Sequence, residues 1–159
     1  MSTAVPERPE ALAAPRRFAV VASRYNAEYV NALVENTQTE LATIAPGSPV
    51  EVHRVPGSFE IPLAVQALAQ RGNVDAILAF GLLWTGETLH ASLIATAVTG
   101  ALMDLSLRFR LPVMHEVLVV KTEEQAHARC KSAELNRGIE AARAAVRMLQ
   151  TLDAIHRPR

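Results

Sequence analysis

The stretch DAILAFGLLWTGETLH, residues 75–90, carries the clearest sign of the architecture, because an apolar run gives way to a polar-edged loop and then to a helix. Asp75 to Gly81 is predicted as a buried strand, since a short apolar run bounded by polar residues is typical of parallel sheets. An apolar helix follows from about His90 to Arg110. A strand, a loop and a helix in this order form the repeating unit of a parallel α/β protein.

The same unit precedes this stretch. FAVVAS at 18–23 is a predicted strand followed by a helix, and PVEVHRVP at 49–56 is a second strand. Gly57 and Ser58 lead into the next helix, with Pro62 in its first turn. Apolar residues at helical spacing predict a single apolar face on each of the first and third helices: Val30, Leu33, Val34, Leu41 and Ile44, and Leu93, Ile94, Ala97, Val98, Ala101, Leu102 and Leu105.

The unit also recurs towards the C-terminus. A fourth strand, PVMHEVLVV, ends at Val120, and Thr122 and Gln125 form a capping box for the next helix. Asn136 caps the last helix, which runs towards His156. Strands alternating with helices predict right-handed crossovers. We therefore expect a three-layer α/β/α sandwich around a four-stranded parallel sheet, of the flavodoxin-like kind.

Composition favours one globular domain that binds neither nucleic acid nor membranes. The chain has 159 residues, 50% of them hydrophobic, with 16 basic and 16 acidic side chains, so no broad basic surface is expected. Residues 1–16 are expected to form a flexible arm before a single domain at 17–159. Cys130 is the only cysteine, which excludes an intrachain disulfide. The N-terminus shows no apolar leader, which predicts a cytoplasmic protein.

A ligand site is expected where the loops at the carboxyl ends of the parallel strands meet. Gly86, Glu87 and Thr88 precede the third helix, where free backbone N–H groups favour an anion such as phosphate. His90 follows them and can transfer a proton near neutral pH. The alternative is that Gly86 and Thr88 only form the turn and the cap, and that His90 is structural.

Aromatic and basic side chains also fall near these loops. Tyr25 and Phe59 follow the first two strands, and Trp84, the only tryptophan, lies in the third loop. The rings of Tyr25 and Phe59 could stack on a flat heterocycle or pack in the core. Trp84 could line a pocket or an interface between subunits. Arg129 and Arg137 could complete an anion site through bidentate guanidinium contacts, although most surface arginines have no such role.

Several familiar chemistries are excluded by the sequence. It has no G-x-G-x-x-G, P-loop, H-E-x-x-H or G-x-S-x-G motif, and the five histidines lack the spacing of metal ligands, so no metal site is predicted. A signalling receiver module would share the architecture and could use Lys121. It needs acidic residues after the first and third strands, and SRYN and GLLWT contain none.

Five motifs in order and spacing resemble the lumazine synthase family: RYN at 24–26, VPGSFEIP at 55–62, GETLH at 86–90, TEEQAHAR at 122–129 and NRGIEAA at 136–142. The resemblance extends from Arg17 to about Leu152. It implies a transferase that condenses 5-amino-6-ribitylaminouracil with 3,4-dihydroxy-2-butanone 4-phosphate. The products would be 6,7-dimethyl-8-ribityllumazine, phosphate and water, in the penultimate step of riboflavin biosynthesis. No metal or organic cofactor is implied.

The resemblance also implies roles for single residues. Tyr25 matches the aromatic residue that stacks on the pyrimidine, Ser58, Phe59 and Glu60 match the segment that holds the ribityl chain, and Leu83 and Trp84 match positions beside the heterocycle. Gly86, Glu87 and Thr88 match the phosphate loop, Arg129 the arginine that binds the phosphate, Arg137 a nearby basic position, and His90 the proton-transfer residue.

The chain departs from the family pattern beside two of these positions. Ala91 and Ser92 follow His90, where the family usually has an aromatic and an acidic residue. The fourth strand has His115 and Glu116 where the family usually has an aromatic residue and glycine. We therefore consider that Glu116 or His115 replaces the missing acidic partner of His90 in the substrate site.

The resemblance implies an assembly as well. Family members form homopentamers or icosahedral shells of pentamers, with each site shared between neighbours and the leading segment paired with a neighbouring subunit. The short stretch 129–138 favours a shell. A second hypothesis is a non-catalytic shell protein that keeps the fold and binds flavin or lumazine but has lost the chemistry.

Overall fold

The computed structural model describes residues 4–157, in which parallel strands alternate with helices. Residues 1–3 of the predicted arm and the last two residues of the predicted domain lie outside this range. The elements are β1 (Phe18–Ser23), α1 (Ala27–Ile44), β2 (Val50–Val55), α2 (Ile61–Arg71), β3 (Ala76–Trp84), α3 (His90–Phe109), β4 (Val113–Val120), α4 (Glu123–Cys130) and α5 (Arg137–His156). A 3-10 turn at Ser58–Glu60 leads into α2.

The sheet has the strand order β2-β1-β3-β4, and all of its strands are parallel. Strand β1 lies inside the sheet and is buried at every residue. One apolar cluster joins the sheet to α2 and α3, and a second joins its other face to α1, α4 and α5. The predicted three-layer α/β fold with a four-stranded parallel sheet is therefore confirmed.

The predicted helix faces are confirmed for α1 and only partly for α3. Every residue of the predicted α1 face is buried. In α3, Val98, Leu102 and Leu105 pack on the sheet, but Leu93 is 65% exposed. Leu93 and Ala97 lie at the edge of this apolar face and border an open cavity. Helix α3 is also long and apolar enough, by length and composition alone, to cross a membrane.

The predicted turn and helix caps are found, but the predicted capping box of α4 is incomplete, because Gln125 Oε1 accepts from the Lys121 amide at 2.9 Å and not from the Thr122 amide. Pro62 lies in the first turn of α2. Thr122 Oγ1 accepts a hydrogen bond from the Gln125 amide at 3.3 Å, and Asn136 Oδ1 accepts one from the Ile139 amide at 3.1 Å. These side chains satisfy amide groups that the first turns of α4 and α5 would otherwise leave free.

Strand β3 is longer than the sequence indicated. The predicted end was Gly81, whereas the strand continues to Trp84. The extension exists because β4 runs beside it, and the last aligned pair is Trp84 with Val120. Leu83 and Trp84 therefore lie on the strand and not in the loop, which gives both side chains a fixed direction.

Residues ahead of β1 lie along α1 and α5. Arg8 makes a bidentate contact with Glu40, with both N–O distances at 2.9 Å, and Arg143 contacts the same carboxylate at 2.7 Å. The Leu12 amide donates to the Ile44 carbonyl at 2.9 Å. Glu40 is only 5% exposed, so this segment is attached to α1 through a buried carboxylate with two basic partners.

Candidate active site

A cavity of about 880 Å³ opens at the carboxyl ends of β1 and β3. The strand order makes the connections of β1 and β3 leave in different directions, and such a point in a parallel sheet is where ligands bind. The cavity is lined by most of the predicted site residues: Tyr25, Ser58, Phe59, Glu60, Leu83, Trp84, Gly86, Thr88 and His90.

The loops after β1 and β2 are joined by backbone hydrogen bonds. The Arg24 amide donates to the Val55 carbonyl at 2.8 Å, and the Tyr25 amide donates to the Pro56 carbonyl at 3.3 Å. The Tyr25 ring is 69% exposed. Because backbone hydrogen bonds fix this loop, the exposed Tyr25 ring can stack on a flat ligand without a prior movement of the loop.

The segment from Gly57 to Glu60 forms one wall of the cavity. Glu60 Oε2 accepts a hydrogen bond from the Gly57 amide at 2.8 Å. One carboxylate oxygen therefore stabilises the turn, and the other oxygen takes no part in this hydrogen bond. Phe59 is 62% exposed, and the core-packing alternative for this residue is therefore wrong. Ser58 is buried beneath the turn, where a Cβ atom on Gly81 would lie 2.4 Å from its Oγ.

Asn26 also lines the cavity, although it was not among the predicted site residues. Its backbone is in the left-handed region with φ of 56°. Its side chain donates to the Leu82 carbonyl at 2.7 Å and accepts from Trp84 Nε1 at 3.1 Å. The sequence placed Asn26 between a strand and a helix, which is the usual position of a helix cap, yet it makes no side-chain cap bond with α1.

The amino end of α3 is open to an anion. The helix begins at His90, and its cap residue, Leu89, provides no side-chain hydrogen bond. Within residues 4–157, Thr88 likewise makes no side-chain hydrogen bond to this helix end, so the alternative that it serves only as the cap is not supported. A Cβ atom on Gly86 would meet nothing within 4 Å. Free amide groups and the positive end of the helix dipole can therefore face an anionic group in this loop.

The His90 side chain is exposed in the cavity wall. Among residues 4–157, no hydrogen bond or ion pair fixes its imidazole ring. A histidine at this place is free to exchange protons with a ligand in the cavity.

Glu87, His115, Arg129 and Arg137 are not part of the cavity wall. Glu87 lies exposed in the loop ahead of α3. His115 lies on β4, with Nε2 2.7 Å from Thr99 Oγ1, and burial lowers its pKa. Its Nδ1 accepts from the Val117 amide at 3.2 Å, so the neutral ring is held at both nitrogens.

The two arginines lie on the α4 and α5 side of the molecule. Arg137 forms an ion pair with Glu140. Arg129 is half-buried, and within residues 4–157 its only hydrogen bond is to the Gln125 carbonyl at 3.4 Å, with no carboxylate partner. Within residues 4–157 of a single chain, the two arginines therefore lie away from the cavity.

The proposed partnership between Glu116 and His90 is corrected by the structure. Neighbouring residues of a strand point to opposite faces of the sheet. His115 faces α3, and Glu116 faces α5, where burial raises its pKa to about 8 while Arg137 acts to lower it. Glu116 therefore lies across the sheet from His90 and is largely protonated at neutral pH.

These features define a parallel α/β protein with a cavity of small-molecule size at the point where the connections from β1 and β3 diverge. The chain belongs to the 6,7-dimethyl-8-ribityllumazine synthase family, whose model matches residues 15–153. A protein of that name from Xanthomonas euvesicatoria pv. vesicatoria is 36% identical over 140 residues, covering 87% of this chain and 91% of the relative. Another from Thermus thermophilus is 37% identical over 143 residues, covering 89% of this chain and 90% of the relative.

Proposed function

We propose that this chain is the transferase that condenses 5-amino-6-ribitylaminouracil with 3,4-dihydroxy-2-butanone 4-phosphate to give 6,7-dimethyl-8-ribityllumazine. Membership of the family and the identity of bacterial relatives over most of their length support this reaction. The single observation that carries it furthest is the cavity, which combines exposed aromatic rings, an open helix amino end and a free imidazole.

The pyrimidine substrate binds beside Tyr25 and the end of β3. Strand β1 pairs with β3 only as far as Phe80, so the backbone of β3 beyond that residue has no strand on the β1 side. A uracil ring carries N–H and C=O groups that suit such an edge, and the exposed Tyr25 ring offers a stacking face. Ser58, Phe59 and Glu60 then hold the ribityl chain.

The butanone phosphate binds at the loop Gly86–Thr88 ahead of α3. Free amide groups at this helix end favour its phosphate, and Arg129 supplies a cation. His90 moves protons as the imine forms, phosphate leaves and the ring closes. Holding both substrates in one cavity supplies much of the rate, because it removes the entropy cost of bringing them together.

A second copy of this chain completes the site. Within one chain, His115, Arg129 and Arg137 lie outside the cavity that holds His90. Helix α3 also presents an apolar face that nothing in the described chain covers, with Leu93 at 65%, Met103 at 60% and Leu107 at 70% exposure. Such a face suits contact between copies. We propose a homopentamer, assembled further into an icosahedral shell, that acts in the cytoplasm.

Mixed assembly tests the shared site. Chains carrying His90→Ala and chains carrying Arg129→Ala are each expected to lose most of their turnover when they assemble alone. Co-expression with two different tags yields mixed oligomers, in which some sites combine an intact His90 with an intact Arg129. Partial recovery of turnover in the mixed oligomers is expected. No recovery in a confirmed mixed oligomer would contradict a site built from two chains.

Ligand binding separates the enzyme from the non-catalytic alternative. An oligomer that binds riboflavin and yields no lumazine from the two substrates, with His90→Ala leaving binding unchanged, would support a binding shell instead. Light scattering of the purified protein measures the assembly, and a particle no larger than a pentamer would contradict the shell.

A further inference from the structure

Trp84 is held from two sides at the end of β3. Its Nε1 donates to Asn26 Oδ1 at 3.1 Å. Its ring and the Tyr29 ring form a T-shaped contact with a centroid distance of 5.9 Å and an interplanar angle of 73°. The indole is 37% exposed, and the exposed part lines the cavity. The orientation of this ring is therefore fixed before any ligand binds.

Asn26 can hold Trp84 because it also replaces a missing strand partner. The ladder between β1 and β3 ends at Ala22 with Phe80, which leaves the Leu82 carbonyl without a donor from β1. The Asn26 amide group donates to that carbonyl at 2.7 Å. Asparagine is among the few residues that tolerate the left-handed backbone found here, with φ of 56°. Both polar atoms of one side chain are thus used to fix the end of β3.

We propose that Asn26 is a positioning residue that sets the orientation of Trp84, and that the pair determines affinity for the pyrimidine substrate but not for the butanone phosphate. Asn26 follows Tyr25 directly, whereas the anion loop begins beyond Trp84 at Gly86. The Nε1–H of an indole requires an acceptor when it is partly buried. This inference rests on the proposed function, because it assigns the pyrimidine to the cavity beside Tyr25.

A purely structural role for Asn26 makes a different prediction. If Asn26 only ended β1 and began α1, its loss would lower stability and would change both Michaelis constants together or neither. If it positions Trp84, loss of either partner raises the KM for the pyrimidine alone. Loss of both then adds little to the loss of one, because the same hydrogen bond is removed.

A double-mutant cycle separates these roles. Trp84→Phe removes the Nε1 donor and retains an aromatic ring beside Tyr29. Asn26→Gly removes this acceptor together with the donor to the Leu82 carbonyl, and glycine tolerates the left-handed backbone. Each variant is expected to raise the KM for the pyrimidine about three- to tenfold, the range for one lost hydrogen bond. The double variant should equal the larger single effect, with kcat within about twofold of the wild type.

Fluorescence gives a readout that stability does not control. Trp84 is the only tryptophan, so emission reports on this one ring. In Asn26→Gly, emission is expected to shift to longer wavelength and acrylamide quenching to increase, because the indole is no longer held. Asn73→Gly is the matched control, since Asn73 precedes β3 at the opposite end of the sheet, and it should leave KM and emission unchanged.

The outcomes distinguish the inference from the proposed function. Absence of turnover in the wild-type protein overturns the proposed function. In an active enzyme, additive KM changes, equal changes for both substrates, or an unaltered Trp84 emission in Asn26→Gly overturn the inference alone. Non-additive changes confined to the pyrimidine, together with the emission shift, support it.

Discussion

Gly81→Ala tests how closely the sheet and the substrate site are packed against each other. A Cβ atom at this position would lie 2.4 Å from Ser58 Oγ and 3.3 Å from Val117 Cγ1. Ordinary contact between such atoms needs about 3.5 Å, so Ser58 must move by about 1 Å. Ser58 is only 5% exposed, and the turn above it is closed by the bond between Gly57 and Glu60.

The expected cost is about 1–3 kcal/mol, which is the usual range for a methyl group forced into a packed interior. In a domain of this size that loss corresponds to a fall in Tm of roughly 2–12 °C. The displaced turn should also raise the KM for the pyrimidine substrate, because Ser58 and Phe59 form the wall of the cavity.

Thermal unfolding followed by circular dichroism, together with turnover, measures both effects. The double variant Ser58→Ala, Gly81→Ala removes the 2.4 Å contact and should recover part of the lost stability. Ser58→Ala alone should change stability by less than Gly81→Ala. If Gly81→Ala kept full stability and turnover, or if the double variant were no better than Gly81→Ala, the packing argument would be refuted.

Three further substitutions test other contacts. Gly138→Ala would place a Cβ atom 2.4 Å from the Leu33 carbonyl oxygen. We therefore expect the free energy of unfolding, measured in urea, to fall by about 2 kcal/mol, and an unchanged value would contradict this. The Arg8 guanidinium lowers the pKa of Glu40, so the Glu40 carboxylate stabilises the fold fully above about pH 4.5 and progressively less as pH falls below it. Glu40→Gln should therefore cost about 1 kcal/mol at pH 7 and less in acid, as measured by unfolding across this pH range. Burial raises the pKa of Glu116 to about 8, so wild-type stability should fall as pH rises from about 4.5 to 8. Glu116→Gln should therefore be more stable than the wild type by roughly 3–5 kcal/mol at pH 9 but not at pH 4, since one pKa unit corresponds to about 1.4 kcal/mol, and equal pH profiles would count against this.

The fold could be predicted from sequence because its signals are local. The buried run 18–23, the apolar face of α1, Pro62 and the Asn136 cap each depend on nearby residues, and each is found in the structure. The end of β3 depends instead on pairing with β4, which lies far along the chain. Strand pairing of this kind leaves no local signal at Trp84.

The site was predicted less completely, for physical reasons that differ between residues. Asn26 resembles a helix cap in sequence, and only its distances to Leu82 and Trp84 show what its side chain contacts. The sequence left Glu116 and His115 as alternatives, because strand alternation places them on opposite faces of the sheet without showing which of them faces α3. The structure decides this, since His115 faces α3.

Several residues that the sequence predicts from an apolar or basic pattern are exposed or lack a partner within residues 4–157. The apolar residues of α3 match the helical pattern of a core, yet Leu93 and Ala97 are exposed in one described chain. Arg129 has no carboxylate partner within residues 4–157, and it lies away from the cavity whose phosphate it is proposed to bind. Sequence patterns predict which residues are apolar or basic, but they do not distinguish a core from an interface between copies.

The proposed reaction is tested by mixing the purified protein with both substrates and measuring lumazine fluorescence and inorganic phosphate in the same sample. We expect 6,7-dimethyl-8-ribityllumazine and phosphate to appear together, one phosphate for each lumazine. Omission of either substrate, or the His90→Ala substitution, should sharply reduce both products. A folded, assembled protein that forms neither product above the uncatalysed rate would contradict the proposed function.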